Sequence, residues 1–241
     1  MKKYTLSIGA LFKNEAHSIQ EWLEHYLSRG VEHFYLINDK STDNFMEKIE
    51  KYIDKISLFN ADFTNYVGRQ KDMYNTYILP KLKETKWLLM VDLDEYMWSP
   101  ICKSLPDVLI TCNHLSQIQV CHTLFGSNGH IKQPDNIVKS FTKRAIDIEG
   151  GYKYFVNSDY DFISLNVHHA TYVNENDGLN KFIILGPDYF RLNHYSCQSL
   201  EFWENVKCKR GDSDNYRNRT LDDFYKLDFN EIEDMILANS I

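Results

Sequence analysis

Residues 87–98 read WLLMVDLDEYMW, an apolar run that meets three carboxylates, Asp92, Asp94 and Glu95. A run of this length and character is a buried strand, and its acids mark the point where the chain leaves the core. Carboxylates held there without a partner must neutralise or find a cation. Two of them at i and i+2 can converge on one point around a turn. Oxygen donors of this kind suit Mg²⁺ or Mn²⁺, ions that keep waters and share phosphate oxygens with a protein, so a diphosphate is the natural co-ligand. The plainer alternative is a helix N-terminus dressed with acids.

The residues upstream repeat one pattern. YTLSIGALF (residues 4–12) reads as a buried strand, and residues 14–30 as a helix with Ile19, Trp22, Leu23, Tyr26 and Leu27 on one face and Gly30 as its stop. HFYLIND (33–39) is a second strand, followed by a helix through Tyr52, a third strand at 56–61 and a helix over 68–82. Strand and helix in alternation with short links build a mostly parallel sheet flanked by helices. Such sheets bind ligands beyond the carboxyl ends of their strands. Lys13, Asn14, Glu15, Asn38, Asp39, Asp62, Asp92 and Asp94 all fall there. The second half is less regular, with expected strands at 116–123, 137–144, 162–167 and 190–195 and Gly/Asn-rich loops between them, EGGYKYFVNSD included.

Composition narrows the function. The chain has 241 residues, 43% of them hydrophobic, enough for one large domain with a full core. A net charge of −7 argues against a broad nucleic-acid surface. No run approaches ~20 uninterrupted apolar residues, so no membrane span is expected. Five cysteines with no CxxC speak against a disulfide framework or zinc ribbon. With no leader visible ahead of residue 4, the expectation is a cytoplasmic protein, at most at the inner face of the membrane.

The opening LFKNEAHSIQEWLEHYLSRGVEHFYLINDKSTDN, the WLLMVDLDEYMW strand end, LFGSNGH, FTKRA and RLNHYSCQSLEFWENVKCKRG occur in the order found in GT-A-fold glycosyltransferases. Over residues 4 to 212 the chain resembles the family 2 superfamily, close to glycosyltransferase family 92. The resemblance implies a Rossmann-like nucleotide-sugar-binding fold, with a nucleotide half at 1–98 and an acceptor half at 99–219. It implies a UDP-sugar donor, galactose the favoured sugar, and Mn²⁺ or Mg²⁺ as cofactor. Asp39 would contact the nucleoside, with Asn14 in the same nucleotide segment. Asp92 would face the ribose or a metal-bound water, Asp94 would hold the ion, and His194 would be its late ligand. Asn38 stands where the superfamily usually has an acid. Lys207 and Arg210, in a local cationic patch with Lys209, Arg217 and Arg219, would close over the diphosphate; a solvated loop is the alternative.

An inverting transfer needs a base in the acceptor half, within reach of the acceptor hydroxyl. Glu149, Asp159, Asp161, His168, His169, Glu175 and Asp177 are candidates, and Asp161 or His168 is the choice. Glu95 could instead hold the acceptor. The expected acceptor is an oligosaccharide or glycolipid of bacterial capsule or lipopolysaccharide synthesis. A nucleotide-sugar pyrophosphorylase would share the sheet and the metal, but LFKNEAHS lacks its glycine-rich loop; a catalytically inactive sugar-binding module would tend to lose the acids. The acidic segment 220–241 carries an apolar stripe, Leu221, Phe224, Ile232, Met235 and Ile236, and is expected to be helical. It should pack on its own chain, a homodimer being the second arrangement.

Overall fold

A computed structural model describes residues 2–240 except 147–150, 212 and 214–217, and excludes the side chains of 178–180. The strands are β1 Tyr4–Phe12, β2 His33–Asn38, β3 Ile56–Asn60, β4 Thr85–Met90, β5 Glu95–Trp98, β6 Gln117–Leu124, β7 Lys143–Arg144, β8 Tyr152–Asn157, β9 Phe162–Leu165, β10 Ala170–Tyr172, β11 Phe182–Leu185, β12 Arg191–His194 and β13 Ile232–Glu233. Nine of them form one sheet in the order β3-β2-β1-β4-β8-β6-β12-β5, with β11 also on β6. β3, β2, β1 and β4 are mutually parallel, and β8 enters antiparallel between β4 and β6.

The link from β4 to β5 shapes the molecule. Met90 and Glu95 are five residue steps apart, about 18 Å at full stretch, yet their strands lie four places apart in the sheet. Glu95 N donates to Asp92 O at 3.2 Å, so the link is a tight turn and not a stretched span; the path β4-β8-β6-β12-β5 curls to bring its ends together, and the seam is residues 91–94, where two of the acids lie. Helix α1 (Ile19–Ser28) fixes that seam from outside. Trp22, Leu23 and Tyr26 are fully buried on its inner face. Trp22 Nε1 donates to the carbonyls of Asp92 (3.0 Å) and Glu95 (3.1 Å), and the Tyr26 hydroxyl donates to Glu95 O at 2.9 Å while accepting from Met97 N at 2.8 Å. On the opposite face the helical run 69–84 packs Met73, Tyr74 and Ile78 against the sheet. Gly9 permits that closeness, since a Cβ there would stand 2.6 Å from Met90 Sδ and 2.9 Å from Ile78.

Two expectations need correction. Residues 137–144 are not a strand: Ile137–Ser140 is a short helix and only Lys143–Arg144 is extended. Asn136 caps the helix through Lys139 N at 2.7 Å, and Glu21 of α1 accepts from Ile137 N (2.6 Å) and Val138 N (3.0 Å), so tertiary capture of the N–H groups overrides β-propensity. The stretch read as a loop at EGGYKYFVNSD instead supplies β8, in the middle of the sheet.

The segment 220–241 packs on its own chain but is only partly helical. Thr220 and Asp223 form a reciprocal cap on Leu221–Leu227, β13 then pairs with β7, and a 3₁₀ turn follows at Ala238–Ser240. Phe224 packs on Trp203 and Leu237 joins the main core, while Leu221, Met235 and Ile236 stay exposed. Asp228 accepts from Ser127 N and Oγ, and Asn230 from Asn128 N at 2.8 Å. Gly126 makes room for this clasp, because a Cβ there would lie 2.2 Å from Phe229 O.

Candidate active site

The turn between β4 and β5 is closed by its own acids. Glu95 Oε2 accepts from Asp92 N at 2.7 Å, and Asp92 O accepts from Glu95 N at 3.2 Å. Tyr195 N donates to Asp94 O at 2.8 Å, tying the turn to the end of β12. With the backbone held by α1 and β12, the side chains of Asp92 and Asp94 project over the carboxyl ends of β1 and β4.

They line a cavity of about 380 Å³ together with Asp39, Glu15, Arg69, Lys207 and Arg210. That volume lies in the range of small-molecule sites. Its acids and bases are paired across the opening. Lys207 Nζ lies 2.7 Å from Asp94 Oδ2, Arg210 bonds the Glu15 carboxylate and the Lys13 carbonyl, and Arg69 bonds Asp39. Lys207 and Arg210 both belong to the helical run 200–210, which starts at the cap Ser199 and forms one wall of the cavity.

Beneath the acids lies a buried histidine–lysine layer. Lys153 of β8 is 2% exposed and reaches Asp92 Oδ2 at 2.7 Å and Glu95 Oε2 at 3.6 Å. His122 Nε2 lies 2.9 Å from Glu95 Oε1, and the rings of His122 and His194 are 4.6 Å apart. His194 Nε2 is 3.6 Å from Asp94 Oδ1. Burial raises the Asp92 carboxyl despite Lys153. Burial works the same way on Asp94 and Glu95 but loses: Lys207 and His194 hold Asp94 well below the usual carboxylate range, and Lys153 and His122 draw Glu95 down to about 2. Burial would lower Lys153 and His194, yet Asp92 and Glu95 raise the lysine and Asp94 raises the histidine. His122 is lowered by burial. Ligand atoms of Asp92, Asp94 and Glu95 lie within 4.8 Å of one another, as do those of Glu95, His122 and His194. His122 Nε2 and His194 Nδ1 are buried without a hydrogen-bond partner. Such a mixed oxygen and nitrogen donor set fits a divalent cation.

Asp39, Asp92, Asp94, Lys207 and Arg210 thus share one cavity, and His194 stands beside it, 3.6 Å from Asp94. Asn14 does not join them. Its backbone sits at φ 55°, its Oδ1 accepts from Thr42 N at 2.7 Å, and it borders a second, larger cleft on the far side of the β1–α1 turn. Asp161 is an exposed surface acid paired with Lys83 at 2.7 Å, its side chain 71% exposed. Asp159 is likewise paired with Lys86. His168 is exposed but borders the histidine layer: a Cβ on Gly151 would stand 3.0 Å from His168 Cε1 and 3.3 Å from His122 Cε1. Its Nδ1 donates to the Tyr152 carbonyl at 2.9 Å, which leaves Nε2 as the acceptor. Glu149 and Arg217 lie outside the described residues. Sequence reasoning passed over Arg69, His122 and Lys153. The lysine in YKYFVN, a charge inside an apolar alternation, was the available signal.

The glycosyltransferase family 92 profile matches residues 2–234. A family 92 protein of Oryza sativa subsp. japonica is 25% identical over 218 residues, covering 86% of this chain and 35% of its own. One of Ricinus communis is 24% identical over 226 residues, covering 86% and 37%. The chain therefore spans about a third of the length of these curated relatives. Among solved structures, S. aureus TarS 1–349 in complex with UDP-GlcNAc aligns over 92% of this chain and 64% of its own at 17% identity, with a TM-score of 0.47. The mannosyltransferase PcManGT of Pyrobaculum calidifontis, in complex with GDP-Man and Mn²⁺, aligns over 53% and 37% at 11% identity, with a TM-score of 0.34. With nearly its whole length matched by the profile, the chain belongs to glycosyltransferase family 92.

Proposed function

We propose that this chain transfers a sugar from a UDP-sugar to a glycan acceptor with inversion, and that the cavity lined by Asp39, Asp92, Asp94, Lys207 and Arg210 is the donor site. The observation that carries the reading is this convergence of acids and bases at the carboxyl ends of β1, β2 and β4, in a member of a glycosyltransferase family. Asp39, oriented by Arg69, would accept from the nucleoside. Lys207 and Arg210 would exchange their present carboxylate partners for diphosphate oxygens, the guanidinium as a two-pronged fork and the ammonium as a point charge. Asp94 and His194 would hold a divalent cation, which when bound stabilises the negative charge that gathers on the departing diphosphate. Lys153 would keep Asp92 and Glu95 compensated by a buried counter-charge.

His168 is the proposed base: its Nδ1–H is spent on Tyr152 O, and its Nε2 lone pair is available to an acceptor hydroxyl. Asp161, committed to Lys83 at the surface, is not assigned that role. Galactose as the sugar, and an acceptor in bacterial surface-polysaccharide or lipopolysaccharide synthesis, extend this reading.

The test is thermal stabilisation by nucleotide. UDP with Mn²⁺ should raise Tm, and GDP and CMP should do so far less. Asp94→Asn should lose both the Mn²⁺-dependent shift and UDP release from UDP-sugars while keeping its circular dichroism. Equal stabilisation by all three nucleotides removes the uridine claim, and a full Mn²⁺ response in Asp94→Asn removes the assignment of the site.

A further inference from the structure

Three neighbouring strands at the rim of the curled sheet carry a rigid set of donors. β12 pairs antiparallel with β5, setting His194 opposite Glu95, and parallel with β6, setting Leu192 opposite His122. Leu192 and His194 are two residues apart and share a face, so His122, His194 and Glu95 rise from the same side of three adjacent strands. Donors placed on strands are held more closely than donors on loops.

The contacts within this set are those of ligands. His122 Nε2 stands 2.9 Å from Glu95 Oε1, yet it is buried and makes no hydrogen bond in acceptable geometry. A histidine 5% exposed that approaches a carboxylate this closely without aiming its N–H at it is left unsatisfied. Two atoms each ~2.1 Å from one small cation lie about 3 Å apart when they subtend a right angle. His194 Nδ1 is likewise buried and unpartnered. The neighbouring acid, by contrast, is engaged: Asp92 Oδ2 is on Lys153 at 2.7 Å and its Oδ1 receives the Tyr74 hydroxyl at 3.4 Å.

We propose that His122 is itself a ligand of the site's cation, joining Glu95, His194 and Asp94 in a histidine-rich centre in which Asp92 is not a ligand. The inference rests on the cation reading of the donor site and deepens it. Two imidazoles favour a transition ion such as Co²⁺ or Zn²⁺, and Mn²⁺ to a lesser degree, over Mg²⁺, which prefers oxygen and water. The cation of this site should therefore be one that Mg²⁺ replaces poorly.

The experiment uses the full chain and Mn²⁺ alone. Pulsed electron paramagnetic resonance of bound Mn²⁺ should show couplings from two imidazole nitrogens in the wild type and from one in His122→Gln. Glutamine keeps a side-chain donor for Glu95, so a histidine that served only to orient that carboxylate would leave the nitrogen count unchanged. Mn²⁺ affinity should fall roughly tenfold or more in His122→Gln, and an equal concentration of Mg²⁺ should not displace Mn²⁺ from the wild type. A single nitrogen in the wild type, or an unaltered spectrum in His122→Gln, overturns the proposal while the donor-site reading stands. Failure of any divalent ion to bind the wild type overturns both. The wild-type nitrogen count decides the matter even where the variant fails to fold.

Discussion

Lys153 illustrates what a single position conceals. A lysine between two tyrosines in YKYFV interrupts the apolar pattern and reads as a loop residue, yet its ammonium is the buried counter-charge of Asp92 and Glu95. The acids were legible because apolar residues led into them; their cation was not, because it arrives from 61 residues further on. His25 is the converse case, a polar residue on the inner face of a helix with no role in the site. Burial drives its imidazole down to about 3, and Nε2 donates to Met97 O at 2.9 Å, so the folded protein holds it neutral. The unfolded chain protonates it near its ordinary 6.5. Its contribution to stability is therefore complete above pH 6.5 and is lost as pH falls towards 3, at about 1.4 kcal/mol per pH unit. Denaturant titrations across that window should show a shallower pH dependence for His25→Gln than for the wild type. Parallel curves would mean that the ring is not held neutral.

At the scale of elements, the regular half was legible and the irregular half was not. β1 to β4 and their helices follow from hydrophobic period alone, because each buries a face built from neighbours in sequence. β8 escaped because two glycines lead into it, and the short helix at Ile137–Ser140 because its determinant, Glu21, sits on another helix. The tail belongs to the same class: its apolar stripe was visible, but its anchor is polar. Asp234 accepts from Arg144 Nε at 2.9 Å and also binds Arg191, whose guanidinium lies 5.0 Å from the centre of the Trp98 ring. Removing one partner of a buried ionic cluster strands the others. Asp234→Asn should lower unfolding free energy by on the order of 3 kcal/mol, against less than about 0.5 kcal/mol for the exposed Glu233→Gln. Equal effects in the two variants would show that the tail is held by its apolar contacts alone.

Across the whole molecule, the two halves that sequence separates at residue 98 share one sheet. β8 from the second half lies hydrogen-bonded between β4 of the first and β6. The site is made by that sharing, since its acids and Arg69 come from one half and its histidines, Lys153, Lys207 and Arg210 from the other. A sheet continuous across the boundary predicts one cooperative transition, with far-UV circular dichroism and tryptophan fluorescence reporting the same midpoint. Two separated midpoints would mean that the halves fold as independent units. The positions of the cavity's acids relative to their strands were legible because ligand sites in parallel sheets follow strand ends. The curl that brings β5 round to meet β4 was not, because it depends on pairings spread across the chain.

The clasp at Gly126 and the contact between Arg29 and Ser240, 211 positions apart, also set a timetable. During synthesis the chain emerges at roughly 5–20 residues per second, so Arg29 waits on the order of ten seconds or more for the partner it ends beside. For most of that interval the apolar faces of β1 and β2 are already made, while β12 and the helical run that walls the cavity are not. Segment 220–241 is made after both and supplies Asp228 and Asp234, the charges that fasten the rim.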